Sequence, residues 1–166
     1  NNDYLSIAEI GGSLDNNGVD IDLLGFDACL MSMAEIAYEY KDNASVFTAS
    51  ETEEPGDGWK YDDITNALIS DPTISASALA REIVSAYSRE YTGYYETGNY
   101  ITALASFDLT GFDALADGLD DFAYAYLNSA LQSDWLALES ARNGPIQMAE
   151  SGILPYANYC ELGLLM

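Results

Sequence analysis

The sequence predicts an α/β fold, with a mostly parallel central sheet covered by helices on both faces. Three observations carry this expectation. Short, nearly all-apolar runs such as Leu23-Leu24-Gly25-Phe26 and Val46-Phe47-Thr48-Ala49 read as strands entering a covered sheet. They alternate with segments whose apolar residues recur at helical spacing, in the order αβαβ and then ααβα. Apolar residues make up 49% of the 166 residues and charged ones 20%, enough to fill the interior of one domain of ordinary size.

Tyr4 to Leu14 carries Leu5, Ala8, Ile10 and Leu14 at near-helical spacing, and Asp15-Asn16-Asn17-Gly18 supplies the turn chemistry that ends a helix. Val19 to Phe26 alternates and then turns fully apolar, as a strand. After Cys29 the period changes: Leu30, Met33, Ala34 and Ala37 share a helical face, which predicts a helix beginning directly behind the cysteine. Ser45 to Ala49 is a second strand, and the acidic, Gly- and Pro-containing stretch Glu51 to Gly58 is a loop. Asp62 to Ile69 and Ser75 to Tyr91 are predicted helices separated at Pro72. Tyr100 to Phe107 is a third strand, and Asp108 to Ala130 a long helix. Beyond Asp134 the pattern weakens, with a break at Gly144-Pro145. The apolar ending from Ile153 to Met166 predicts a polypeptide that continues or an end that docks inside an assembly, and Asn1-Asn2-Asp3 has nothing of a targeting segment.

Charge narrows the partners. A net of −23 argues against nucleic acid and anionic membranes and favours cationic ligands, divalent ions or basic peptides, besides conferring solubility. The longest apolar run, Phe122 to Leu127, is far short of the ~20 residues that cross a bilayer. Cys29 and Cys160 are too few for a disulfide framework, although they leave one bridge open. With no histidine in the sequence, no complete Ser-His-Asp or Cys-His machine lies within these residues, and such chemistry needs another chain segment. The stretch Asp15 to Asp22 is oxygen-rich but fails the spacing of a calcium loop and reads as a turn.

Asp27-Ala28-Cys29 lies where a buried strand gives way to the expected helix, the edge of an open α/β sheet at which ligands bind. A thiol at a helix N-terminus is stabilised as thiolate; the plain alternative is a buried cysteine acting as a small hydrophobe. Asp27, two residues earlier, places a carboxylate beside it or caps the helix.

Leu23-Leu24-Gly25-Phe26-Asp27-Ala28-Cys29-Leu30-Met31, followed by Glu35, Ala49-Ser50-Glu51 and Glu54-Pro55-Gly56-Asp57-Gly58-Trp59-Lys60-Tyr61, resembles the clostripain family of cysteine endopeptidases over residues 20 to 61. The resemblance implies a caspase-like αβα sandwich that cleaves peptide bonds after Arg or Lys through a Cys-His dyad, with Cys29 at the nucleophile. It places the His in a His-Gly segment upstream, so that residues 1–166 would be one Cys-bearing catalytic piece, partnered by a His-bearing chain from the same precursor. Export from a bacterial cell, to the medium or the surface, and calcium as a structural or activating ion are also implied; the chemistry itself asks for no cofactor.

For specificity the expected residues are Asp27 and the Gly-flanked Asp57, both able to meet an incoming Arg or Lys, although Asp57 is equally suited to a turn. Ser50 is a further candidate to line the pocket. Trp59 and Tyr61 are expected to pack the loop onto the sheet, and the tyrosines from Tyr87 to Tyr100 to form an exposed surface. The competing reading is a non-catalytic relative, an acidic module that binds calcium or basic ligands on the same scaffold.

Overall fold

In a computed structural model, which describes residues 4–18, 20–92, 102–129 and 131–143, with residues 142 and 143 described by backbone alone, Ser6 opens α1 (Ile7–Asn17) with a reciprocal cap. The Ser6 hydroxyl accepts from the Glu9 N–H and the Glu9 carboxylate accepts from the Ser6 N–H, which satisfies two donors that a helix start leaves orphaned. The Ser6 N–H, and the Ser6 hydroxyl that donates to the same carboxylate oxygen at 2.8 Å, hold the Glu9 carboxyl below its ordinary value. The helix therefore starts later than its apolar spacing suggested, leaving Tyr4 and Leu5 exposed ahead of it. Gly18, at φ 58, closes it in the left-handed conformation that glycine adopts without cost.

β1 (Ile21–Phe26) pairs in parallel with β2 (Ala44–Ser50), Leu24 standing opposite Phe47 and Phe26 opposite Ala49. Between them α2 is short, Ala34–Glu39. The connection from β2 to the third strand holds two helices, α3 (Tyr61–Ser70) and α4 (Ala76–Tyr91), the latter capped by the Ser75 hydroxyl. β3 (Leu104–Asp108) runs antiparallel to β2, with Leu104 opposite Ser50. Among the described residues the sheet is thus small and mixed, in the order β1-β2-β3, rather than mostly parallel. Residues 100 and 101 of the expected third strand lie outside the described residues.

Pleating sorts the side chains into two cores. Leu24 and Phe26 of β1, Phe47 and Ala49 of β2 and Phe107 of β3 share one face, where they meet α1, α2, Tyr40 and Leu109. Tyr40, fully buried, stacks on Phe47 at 6.1 Å and donates its hydroxyl proton to the Ile7 carbonyl. Leu23 and Leu104 face the other way, toward Trp59, Ile64, Leu79, Ile83, Tyr87 and Tyr91. Tyr87 and Tyr91 are buried at 3% and 5% exposure and do not form the open surface expected of them; the later tyrosines of that stretch lie outside the described residues.

Contacts divide the chain into two compact units, residues 1–112 and 113–166. Asp108 ends β3 by accepting from the Thr110 N–H and hydroxyl, so the predicted long helix gives way first to a tight turn at Leu109–Gly111 and then to α5 (Phe112–Leu127). In the second unit Tyr126 of α5 lies 4.3 Å from Trp135 of α6 (Gln132–Asn143). The weak apolar pattern after Asp134 had given no sign of this helix, because most of its surface is exposed and bears no continuous stripe. Cys160 and the apolar ending lie outside the described residues.

Candidate active site

Because β1 and β2 are parallel and in register at their ends, the loops that follow them, residues 27–33 and 51–60, leave the same carboxyl edge of the sheet. Backbone bonds sew the two together: the Leu30 N–H donates to the Thr52 carbonyl at 3.0 Å and the Ser32 N–H to the Ser50 carbonyl at 2.9 Å. Ser50 is fully buried, its hydroxyl donating to the Thr52 carbonyl and accepting from the Thr52 N–H. That hydroxyl is buried and spends its bonds on the turn that leads out of β2.

The sequence placed a helix directly behind Cys29, and the structure corrects this. Residues 27–33 form a loop, α2 begins only at Ala34, and no helix N-terminus addresses the thiol. Leu30 sits at φ 60, a conformation that costs an L-residue about 1–2 kcal/mol and persists here because the side chain is 7% exposed and its N–H is bonded. The apolar residues after Cys29 do point inward, but from a loop as well as from a helix, which is why their spacing misled. Cys29 itself is exposed and unbridged, with the Glu54 N–H donating to its sulfur at 3.2 Å.

Asp27 binds the second loop rather than capping a helix. Its Oδ2 accepts from the Trp59 N–H at 3.0 Å and from the Tyr61 hydroxyl at 3.1 Å, leaving Oδ1 without a donor among the described residues. Gly25 makes room for this, since a Cβ there would stand 2.9 Å from the Trp59 ring. Burial first and then Asp27 raise the Tyr61 phenol above its ordinary value. From the other side, the Tyr91 hydroxyl donates to the Gly58 carbonyl at 2.6 Å.

Gly58 lies at φ 66 with its missing Cβ only 2.5 Å from Asp27 Oδ2. Gly58→Ala is accordingly expected to cost about 2–4 kcal/mol, from left-handed strain plus overpacking against Asp27. Urea unfolding would measure it, and an unchanged midpoint would show that the loop accommodates a methyl group freely.

Asp57 is exposed at the tip of the loop. It, Glu54 and Asp27 all act on the Tyr91 phenol, which burial first and then Asp57, Glu90, Glu54 and Asp27 push above its ordinary value. All three carboxyl groups are thus within electrostatic reach of that phenol, and Asp27 and Cys29 stand on one of the two loops that leave this edge while Glu54 and Asp57 stand on the other. Among the described residues no three Cys, Asp or Glu side chains converge to hold a metal ion.

Fold and site together define an α/β protein with an exposed thiol and an acidic collar at the carboxyl edge of its parallel strand pair. The clostripain family model matches residues 1–161, and the chain belongs to the clostripain family of cysteine peptidases. It is 39% identical to clostripain of Hathewaya histolytica over 71 residues, 40% of this chain and 13% of that protein. Among solved structures, a cysteine protease of B. fragilis is 29% identical with a TM-score of 0.58, covering 69% of this chain and 48% of that one. A secreted cysteine protease of Bacteroides thetaiotaomicron, in complex with an irreversible peptide inhibitor, is 26% identical with a TM-score of 0.58, covering 72% and 34%. The chain thus spans less than half the length of each of these relatives.

Proposed function

We propose that this chain is the Cys-bearing part of a secreted or surface-exposed cysteine endopeptidase that cleaves after Arg or Lys, with Cys29 as nucleophile and a His from an upstream chain of the same precursor as base. The supporting observation is the Cys29 sulfur, open to solvent, touched by a backbone donor and set at the same edge as Asp27 and Asp57. The thiolate attacks the scissile carbonyl carbon, the C–N bond breaks as the tetrahedral intermediate collapses, and the leaving amine takes the proton that the base removed from sulfur. Water then releases the acyl group as a carboxylic acid and restores the thiol. No side chain of this sequence has the unperturbed pKa both proton transfers ask for, so the base comes from outside it. In the caspase-like arrangement that the family implies, the His-bearing segment approaches the edge where the thiol lies.

Asp27 Oδ1 and the exposed Asp57 are the acceptors for a cationic substrate side chain. A charge pair at 4 Å contributes about 4 kcal/mol at an effective dielectric of 20, before desolvation is subtracted. The alternative, a non-catalytic acidic binding relative, draws its support from the absence of histidine.

A peptide bearing a C-terminal Arg and a thiol-reactive group separates the two readings when it is added to the protein together with its His-bearing partner. Covalent capture at Cys29 by the Arg peptide, and weak capture by its Leu counterpart, is the expected result. No capture by either peptide would favour the binding module, and equal capture would remove the acidic residues from specificity.

A further inference from the structure

We propose that Glu54 is a positioning residue for the Cys29 sulfur: its side chain, anchored by the Trp59 indole, fixes the backbone N–H that it donates to Sγ. The proposal rests on Cys29 being the nucleophile and adds what prepares that nucleophile. A loop residue whose only task is a backbone bond needs no particular side chain. Glu54 instead turns its carboxyl inward, where Oε1 accepts from Trp59 Nε1 at 3.2 Å and Oε2 is buried without a hydrogen-bond partner among the described residues. The Tyr87 hydroxyl is buried and unpartnered in the same way. The two do not meet hydrogen-bond geometry, yet each acts on the other, and Asp27 faces Glu54 from the end of β1. Tyr91 of α4 and Tyr61 at the start of α3 complete the titratable surroundings.

Leaving a carboxyl half-buried is costly, and burial pushes this one above its ordinary value, toward the neutral form. The Trp59 link also closes a circuit: the Trp59 N–H holds Asp27, its indole N–H holds Glu54, and the Glu54 N–H holds Cys29. Acidic side chain and sulfur are thereby fixed to one frame.

The test is the rate at which iodoacetamide alkylates Cys29 in the full chain, followed by mass on the peptide that contains it, at pH 7 and pH 10. Glu54→Ala is expected to slow alkylation at pH 7 by about fivefold or more, the loss of a hydrogen bond to a charged acceptor. At pH 10, where thiols are ionised whatever their neighbours, the rates should converge. Glu54→Gln, which keeps an acceptor for the indole, should react at the wild-type rate or faster at pH 7. A wild-type rate at pH 7 in Glu54→Ala, equal slowing by Glu54→Gln, or a slowing that persists at pH 10 would each overturn the proposal. If Glu54→Ala does not fold by circular dichroism, Trp59→Phe removes the indole donor alone and must slow the pH 7 reaction in the same sense; a wild-type rate there overturns it. Alkylation needs neither base nor substrate, so failure of the peptidase reading appears in peptide capture and not in this measurement.

Discussion

Cys29→Ala is expected to abolish covalent capture of an Arg-directed reactive peptide and to lower peptide-bond cleavage by the assembled enzyme by on the order of 10⁴ or more, the loss that would follow removal of a nucleophile acting as one unit with its base. The structure makes this a chemical loss and not a folding one. Cys29 is exposed, belongs to neither core cluster, and among the described residues is bonded through the Glu54 N–H, a donor that water can reach once the sulfur is gone. Stability should accordingly stay within about 1 kcal/mol of wild type, read from urea unfolding alongside the activity assay. Capture that persisted in Cys29→Ala would move the nucleophile elsewhere. Loss of capture together with several kcal/mol of stability would mean that the thiol is a packing group.

What the residue pattern disclosed, and what it hid, follows from which forces were local. β1 and β2 were legible because each carries a short, nearly all-apolar run, Leu23 to Phe26 and Val46 to Ala49, and α1 and α4 because their apolar residues recur at helical spacing. The direction of β3 was not, since it depends on the path by which the chain returns to the sheet. Cys29, Asp27 and Asp57 stand out as candidates in the Gly-Phe-Asp-Ala-Cys string and at the Gly-flanked aspartate. Their different tasks could not be read there. Asp27 is held by Trp59 and Tyr61, and Gly58 by Tyr91, partners more than thirty residues away whose role no local spacing reveals. Glu54 was in plain view within the second motif, but its weight comes from the direction of one N–H. The helix expected behind Cys29 failed for the opposite reason: Leu30 and Ser32 found carbonyl acceptors on the neighbouring loop, which outcompeted the next helical turn.

Those different tasks give the two aspartates separable phenotypes. Asp57→Asn is expected to weaken cleavage after Arg by roughly 10- to 100-fold, chiefly through KM, with an uncharged substrate unaffected. Because Asp57 is exposed and lies among like charges, neutralising it should leave stability unchanged or raise it by a few tenths of a kcal/mol. Asp27→Ala removes a cation acceptor and also the acceptor of the buried Trp59 N–H, a further cost of about 1–3 kcal/mol in stability. Its loss of activity should therefore extend to uncharged substrates, through kcat as well as KM, as the loop that presents Glu54 to the thiol loosens. Asp27→Asn, which keeps the shape and an acceptor for Trp59, divides the two contributions: stability near wild type with Arg cleavage still reduced assigns the charge to substrate and the geometry to the loop. Were Asp27→Asn and Asp57→Asn to reduce Arg and uncharged substrates alike, neither carboxylate would be reading the substrate, and the acidic collar would be a structural feature of the edge.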